Sequence, residues 1–199
     1  MISEIISSIL LFLEGLGYWG VMIGLMIEVI PSEIILSFAG YLVYNGSISF
    51  VGAVIFGTIG GVFAQLFIYW ASRYGGRPLL EKYGKYVFIN SHHIDMSEKW
   101  FNKYGTGMIF TARFIPIVRH AISIPAGLAK MSHARFITLT TLAVIPWTIL
   151  FVYLGKTLGS NWESINTIAG PYVKPILVGA IGLTALYFLI KILMRKKKA

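Results

Sequence analysis

There is no cysteine anywhere in the chain, which excludes disulfide frameworks, thiolate metal sites and thiol catalysis together. Charge is scarce too. Only 13% of residues are Asp, Glu, Lys or Arg, about half of the roughly 25% typical of soluble domains. Acidic residues are the rarer kind, 8 against 17 Lys and Arg. What is plentiful is apolar surface, with a hydrophobic fraction of 56% and a mean hydropathy of +0.74. A net charge of +9 would suit nucleic acid if the basic residues lay on a soluble, aromatic-studded face. They lie instead between apolar runs and at the C-terminus, so anionic lipid is the expected partner and nucleic acid is not.

From Ile34 to Ser72 no charged residue interrupts the chain, a stretch well beyond the roughly 20 residues that one helix needs to cross a bilayer. It therefore holds a span and something more. Phe136 to Gly155 and Pro171 to Ile190, broken only by Lys174, can also span, a pattern that no single signal peptide produces. Lys191, Arg195, Lys196, Lys197 and Lys198 follow the last run, which predicts a cytoplasmic C-terminus.

Counting spans back from that end places Lys130 and Arg135 inside and the loop after Gly155 outside. The segment 104–131 then begins and ends in the cytoplasm. It carries Arg113 and Arg119 near its middle, with Pro116 between them and Pro125 beyond, so a re-entrant hairpin is expected rather than a straight crossing. The same reasoning applies to 5–49, where an apolar helix runs into the polar break Glu28-Val-Ile-Pro31-Ser-Glu33 and a turn signal follows at Tyr44-Asn45-Gly46-Ser47. The expected architecture is a single all-α polytopic membrane domain over 1–199. Its parts are an N-terminal helix and first hairpin (5–49), a span (50–72), a cytoplasmic connector with interfacial helices (73–103), a second hairpin (104–131), and spans at 136–155 and 171–193. Tyr86, Phe88, Ile89, Trp100 and Phe101 among the connector's lysines suit helices lying in the headgroup plane.

The two halves resemble each other. Glu28, Pro31, Ala39, Gly40 and Phe50 parallel Arg113, Pro116, Ala126, Gly127 and Phe136 at offsets of 85–87 residues. Two hairpin-plus-span units entering from opposite faces form an inverted repeat, a transporter architecture with its binding site near the midplane.

A charge at the bilayer centre costs about 2.5–3.5 kcal/mol on insertion scales, so Glu28, Glu33, Arg113 and Arg119 cannot stand alone. The carboxylates come from one hairpin and the guanidiniums from the other, and meeting tips would pair them in a water-accessible cavity. One reading is purely structural ion pairing between the repeats, an expensive way to hold helices that small residues can pack. The functional reading is a phosphate site. Arginine is a planar fork that matches phosphate oxygens in pairs, and helix breaks at Pro31, Pro116 and Pro125 add free N–H groups. A glutamate in the same cavity is a candidate proton acceptor, so Glu28 and Glu33 are assigned to proton coupling and Arg113 and Arg119 to the substrate.

Other features are weaker. His92 and His93 are adjacent and do not share a helical face as paired metal ligands would. His120 and His133 lack metal spacing with a carboxylate, so no metal or cofactor is expected, although His120 beside Arg119 could sense pH. Gly57-x-x-Gly60-Gly61 lies mid-span without a following Lys-Ser/Thr and reads as helix packing, not a phosphate loop.

The pattern Phe110-x-x-Arg113-Phe114-x-Pro116-x-x-Arg119, then Pro125-Ala126-Gly127-x-x-x-Met131 and Phe136, resembles the signature of the DedA membrane proteins, which share a domain with eukaryotic lipid scramblases of the autophagy machinery. Glu28-x-x-Pro31-x-Glu33 with Gly40 resembles the family's other motif, although Pro-Ser stands before Glu33 where the family usually reads Pro-Gly. The resemblance covers about residues 10–190 and implies Gly40 and Gly127 as substrate-site residues beside the arginines. The strings Tyr74-Gly-Gly-Arg-Pro78, Glu81-Lys-Tyr-Gly-Lys85 and Glu98-Lys-Trp-Phe101 are most similar to the bacterial branch that recycles undecaprenyl phosphate. That branch implies a non-enzymatic carrier in the bacterial plasma membrane, moving this lipid from the outer to the cytoplasmic leaflet. The sequence leaves homo-oligomerisation open.

Three other functions compete. A lipid-phosphate phosphatase would need a nucleophile and an acid/base pair, and no histidine here falls in a Ser-Gly-His or lysine-arginine phosphate motif. A proton or small-ion exchanger could use the carboxylates, but two arginines argue against a cation site. A scramblase indifferent to headgroup would use the same architecture.

Overall fold

A computed structural model describes residues 2–83, 95, 99, 108–113 and 118–165. Pro116, His92 and His93, most of the connector, and the C-terminal span with its basic cluster lie outside the described residues. Every regular element described is helical. The helices are α1 (Ile2–Gly15), α2 (Tyr18–Ile27), α3 (Ser32–Tyr44), α4 (Phe50–Tyr83), α5 (Met108–Ala112), α6 (Val118–Ala121), α7 (Ser123–Leu128) and α8 (His133–Leu158), followed by a 3₁₀ turn over Gly159–Ser164. Among the described residues two helical stretches are long and apolar enough to cross a membrane, Phe50–Gly76 and His133–Trp162.

Local chemistry sets the boundaries. The apolar stretch expected as one N-terminal helix is two, because Gly17 at φ 56° breaks the helical path and α2 folds back on α1. Gly20 permits this: an added Cβ there would collide with the carbonyl of Leu13. α2 stops at Glu28, a non-glycine residue in the left-handed region (φ 56°, ψ 26°) whose N–H bonds Gly24 O. Pro31, lacking an N–H that would go unpaired anyway, caps α3. Gly76 (φ 65°, ψ −169°), in a region open to glycine, interrupts α4.

The path of α2 and α3 follows from their contacts. α2 begins beside the start of α4, where Tyr18 Oη donates to Ser49 Oγ (3.1 Å) and accepts from Ser49 N (2.8 Å). It ends at Glu28, level with the middle of α4, and α3 returns so that Tyr44 packs against Gly159 at the far end of α8. The chain leaving α7 lies at the other end. It finishes where Met131 O accepts from Arg73 Nη1 (2.6 Å) and from Tyr69 Oη.

The two returning legs pack reciprocally. A Cβ at Gly40 in α3 would lie 2.5 Å from the backbone N of Lys156 in α8, and one at Gly127 in α7 would lie 2.5 Å from Tyr69 O in α4. Each Ala-Gly step thus lets its leg approach the long helix of the other half, the close packing that stands in for the hydrophobic effect between helices in lipid. Two apolar clusters result. One joins α2, α3 and the end of α8 around Ile35, Leu36, Phe151 and Val152, and the other joins α4, α5, α7 and the start of α8 around Tyr69, Ile109, Ile122 and Phe136. The polar residues converge between them.

Candidate functional site

Between the clusters lies an open cavity whose lining includes Glu28, Ser32, Gln65, Arg113, Arg119, His120, Trp147 and Thr148. Several come from places where regular helix is interrupted, while Gln65 projects from the unbroken part of α4. Glu28 sits on the left-handed residue ending α2, and Ser32 opens α3 behind Pro31. Arg119 and His120 occupy α6, a single turn. Trp147 and Thr148 follow Pro146 in α8, which has no N–H to give the carbonyl one turn earlier. Gly57 and Gly61 of α4 complete the wall. A Cβ at Gly57 would lie 2.9 Å from Thr148 Cγ2 and one at Gly61 3.1 Å from Val144 Cγ1, so these glycines set the width between α4 and α8.

Arg119 and Glu33 make a two-pronged ion pair, Nη1 to Oε1 at 2.8 Å and Nη2 to Oε2 at 3.3 Å. Its side chains keep 18% and 25% of their surface open, so the pair borders the cavity and is not sealed in. Ser32 Oγ adds a bond to Glu33 Oε2 (3.2 Å). The second carboxylate pairs with histidine instead of arginine: His120 Nδ1 is 3.0 Å from Glu28 Oε1, with Gln65 Nε2 also at 3.0 Å. His120 Nε2 accepts from Arg119 Nε (2.9 Å). Because a guanidinium only donates, the neutral ring carries its proton on Nδ1, facing Glu28.

Arg113 is the most enclosed of the four charged residues, 7% exposed. Among the described residues it has no carboxylate partner. Its guanidinium donates to Thr140 Oγ1 (2.9 Å), Ser123 Oγ (3.3 Å) and the backbone carbonyl of Arg119 (3.2 Å). Its Cζ stands 5.3 Å from the centre of the Phe136 ring, while Arg119 Cζ stands 5.6 Å from the centre of the Trp147 indole. Ser123 Oγ in turn donates to Gln65 Oε1 (2.9 Å), so one network runs from Gln65 through Ser123 to Arg113. All the acceptors on Arg113 are neutral, and its charge is left without a direct counterion among these residues. An anion entering the cavity would supply one.

The structure thus brings Glu28, Arg113 and Arg119 together at the cavity, with Glu33 bound to Arg119. Gly40 and Gly127 stand apart, at backbone crossings away from the lining. Pro31 and Pro125 lie at the first turns of α3 and α7. Sequence reasoning weighed His120 lightly and missed Gln65, Ser123, Thr140, Trp147 and Thr148. Polar residues inside apolar stretches were the available signal, but serine and threonine are too common in such helices to single these out.

Fold and site define a helical membrane protein built round an internal charged cavity. Residues 30–157 match the family model described as the VTT domain, and the chain belongs to that family, the DedA proteins. It is 61% identical over 189 residues to undecaprenyl phosphate transporter A of Bacillus subtilis (strain 168), covering 95% of this chain and 96% of that protein. Identity to undecaprenyl phosphate transporter A of Staphylococcus aureus is 29%, covering 94% and 96%. A protein of Lactococcus lactis subsp. lactis named alkaline phosphatase-like is 39% identical, covering 95% and 92%. No solved structure matches the chain.

Proposed function

We propose that this protein carries undecaprenyl phosphate across the bacterial plasma membrane, from the outer to the cytoplasmic leaflet, with its phosphate held in the cavity between Arg113 and Arg119. The observation that carries the reading is the state of the two arginines. Arg119 presents its fork at the cavity edge, held by a carboxylate that phosphate could replace, and Arg113 lies behind it, hydrogen-bonded among the described residues to neutral oxygens alone. Two 61% and 29% identical relatives named as transporters of this lipid support the substrate.

In this reading α2–α3 and α5–α7 are re-entrant hairpins, entering from outside and from the cytoplasm, within the boundaries expected from sequence. The contact of Tyr18 with Ser49 supports the first, since it brings the start and the end of that segment together, and the contact of Met131 with Arg73 places the end of the second at the other end of α4. Glu28 and Glu33 take up protons as phosphate displaces their partners, coupling movement to the proton gradient. Hydrolysis fits the site less well. Ser32, a hydroxyl of the lining, bonds a glutamate already engaged by Arg119, and His120 is committed to Glu28 and Arg119, so among the described residues no general base stands over a free nucleophile.

Reconstitution tests the reading: purified protein in liposomes, with the accessibility of undecaprenyl phosphate and of phosphatidylglycerol followed side by side and inorganic phosphate assayed. Faster exchange of the carrier lipid without phosphate release is expected. Equal rates for both lipids would instead assign a headgroup-indifferent scramblase.

A further inference from the structure

Three side chains of the cavity lining contain a buried polar atom with no hydrogen-bond partner among the described residues: Arg113 Nε, Trp147 Nε1 and Thr148 Oγ1. Buried polar groups are nearly always paired, so three orphans in one lining are an unusual concentration. Thr148 is 1% exposed and Arg113 7%. Two further orphans, Ser37 Oγ and Thr58 Oγ1, belong to residues outside the lining and carry no such reading. Thr148 is not using the usual escape of a helical threonine, a bond back to the carbonyl one turn earlier, although Thr138 and Thr157 of the same stretch do so.

All three orphans can donate, and Trp147 and Arg113 Nε can do nothing else. The ligand they fit is therefore rich in acceptors. We infer that Trp147 and Thr148 are headgroup-reading residues on α8, donating to a phosphate monoester already held by the arginines, and that they select a monoester over a diester phospholipid. The inference rests on the carrier-lipid reading above. An arginine fork satisfies two phosphate oxygens. A monoester has three terminal oxygens, whereas a diester has one fewer and a second ester arm that must be housed. Further donors beside the fork thus have work to do only with the monoester. Arg119 stacked over the Trp147 ring places the indole beside the fork that would hold the phosphate.

The test uses Trp147→Phe, which keeps a ring beneath Arg119 and removes the N–H, and Thr148→Val, which keeps the shape and removes the hydroxyl. Purified full-length protein is challenged with radiolabelled undecaprenyl phosphate and, separately, phosphatidylglycerol, and its melting temperature is read without ligand. Each variant is expected to bind undecaprenyl phosphate roughly tenfold more weakly, the order expected for one hydrogen bond to a charged acceptor, with phosphatidylglycerol binding little changed. The ligand-free melting temperature of Thr148→Val should hold or rise, because an unpaired buried hydroxyl has been removed. A merely structural role would move it down. If either variant binds undecaprenyl phosphate within about twofold of wild type, or weakens only alongside a lowered ligand-free melting temperature, the assignment is overturned. If the wild-type protein itself does not favour undecaprenyl phosphate over phosphatidylglycerol, the carrier-lipid reading fails, and this inference falls with it.

Discussion

Arg119 and Glu33 are 86 residues apart in the chain and meet through both prongs of the guanidinium, at 2.8 and 3.3 Å. The pair ties the break between α2 and α3 to the single turn α6, and it borders the cavity. In the proposed cycle it is also the contact that phosphate must open. A double-mutant cycle with Glu33→Gln and Arg119→Lys should therefore be non-additive in thermal stability, with a coupling of roughly 0.5–3 kcal/mol. Additive effects would mean that the two side chains do not depend on each other.

Gly40 and Gly127 are expected to fail through packing. Replacing either with alanine should destabilise the protein by about 1–3 kcal/mol, the usual cost of forcing extra atoms into a packed site, because the new Cβ meets backbone at 2.5 Å. Unfolding in detergent measures this. A variant that melted like wild type but no longer transported would instead return these glycines to the substrate site, as the family resemblance implied.

Glutamine at position 28 keeps a hydrogen-bond acceptor for His120 Nδ1 and removes the ability to gain or lose a proton. If Glu28 takes part in coupling, Glu28→Gln should still bind the lipid phosphate and lose most of its response to an imposed pH gradient. Vesicle transport with and without the gradient reads this directly. An unchanged response in both Glu28→Gln and Glu33→Gln would move coupling to another group, with His120 the next to replace.

The native chain has no cysteine, so single cysteines report topology without background. Cysteines at Asn45 and Asn161 should label from outside, and cysteines at Ser91 and Ser132 from the cytoplasm. Tyr44 against Gly159, and Met131 against Arg73, already group the first and last parts of these segments at opposite ends. Labelling of Ser91 and Ser132 from opposite faces would mean that 104–131 crosses completely.

The convergence of Glu28, Glu33, Arg113 and Arg119 was legible in the sequence because charge in an apolar run has to find company, and the two halves offered opposite signs. The partners were not. Sequence suggested two carboxylate–arginine pairs, yet Glu28 faces His120 and Arg113 takes neutral oxygens from Ser123 and Thr140. Which group reaches which depends on the left-handed turn at Glu28 and the one-turn helix α6, and neither has a residue signature. A helix limit was legible where proline marks it, as at Pro31. The break at Gly17 was missed because glycine is also common inside apolar helices.

The central claim is that Arg113 and Arg119 hold the lipid phosphate during transport, and lysine at each position tests it most directly, since charge is kept while the fork is lost. Wild type, Arg113→Lys and Arg119→Lys would be reconstituted at equal density, checked for equal melting temperature, and assayed for undecaprenyl phosphate movement in the same liposomes. We predict that each lysine variant loses transport by roughly tenfold or more, in line with loss of a charge-assisted hydrogen bond. Transport at the wild-type rate by both folded variants would contradict the claim and leave the arginines as structural ties between the two halves.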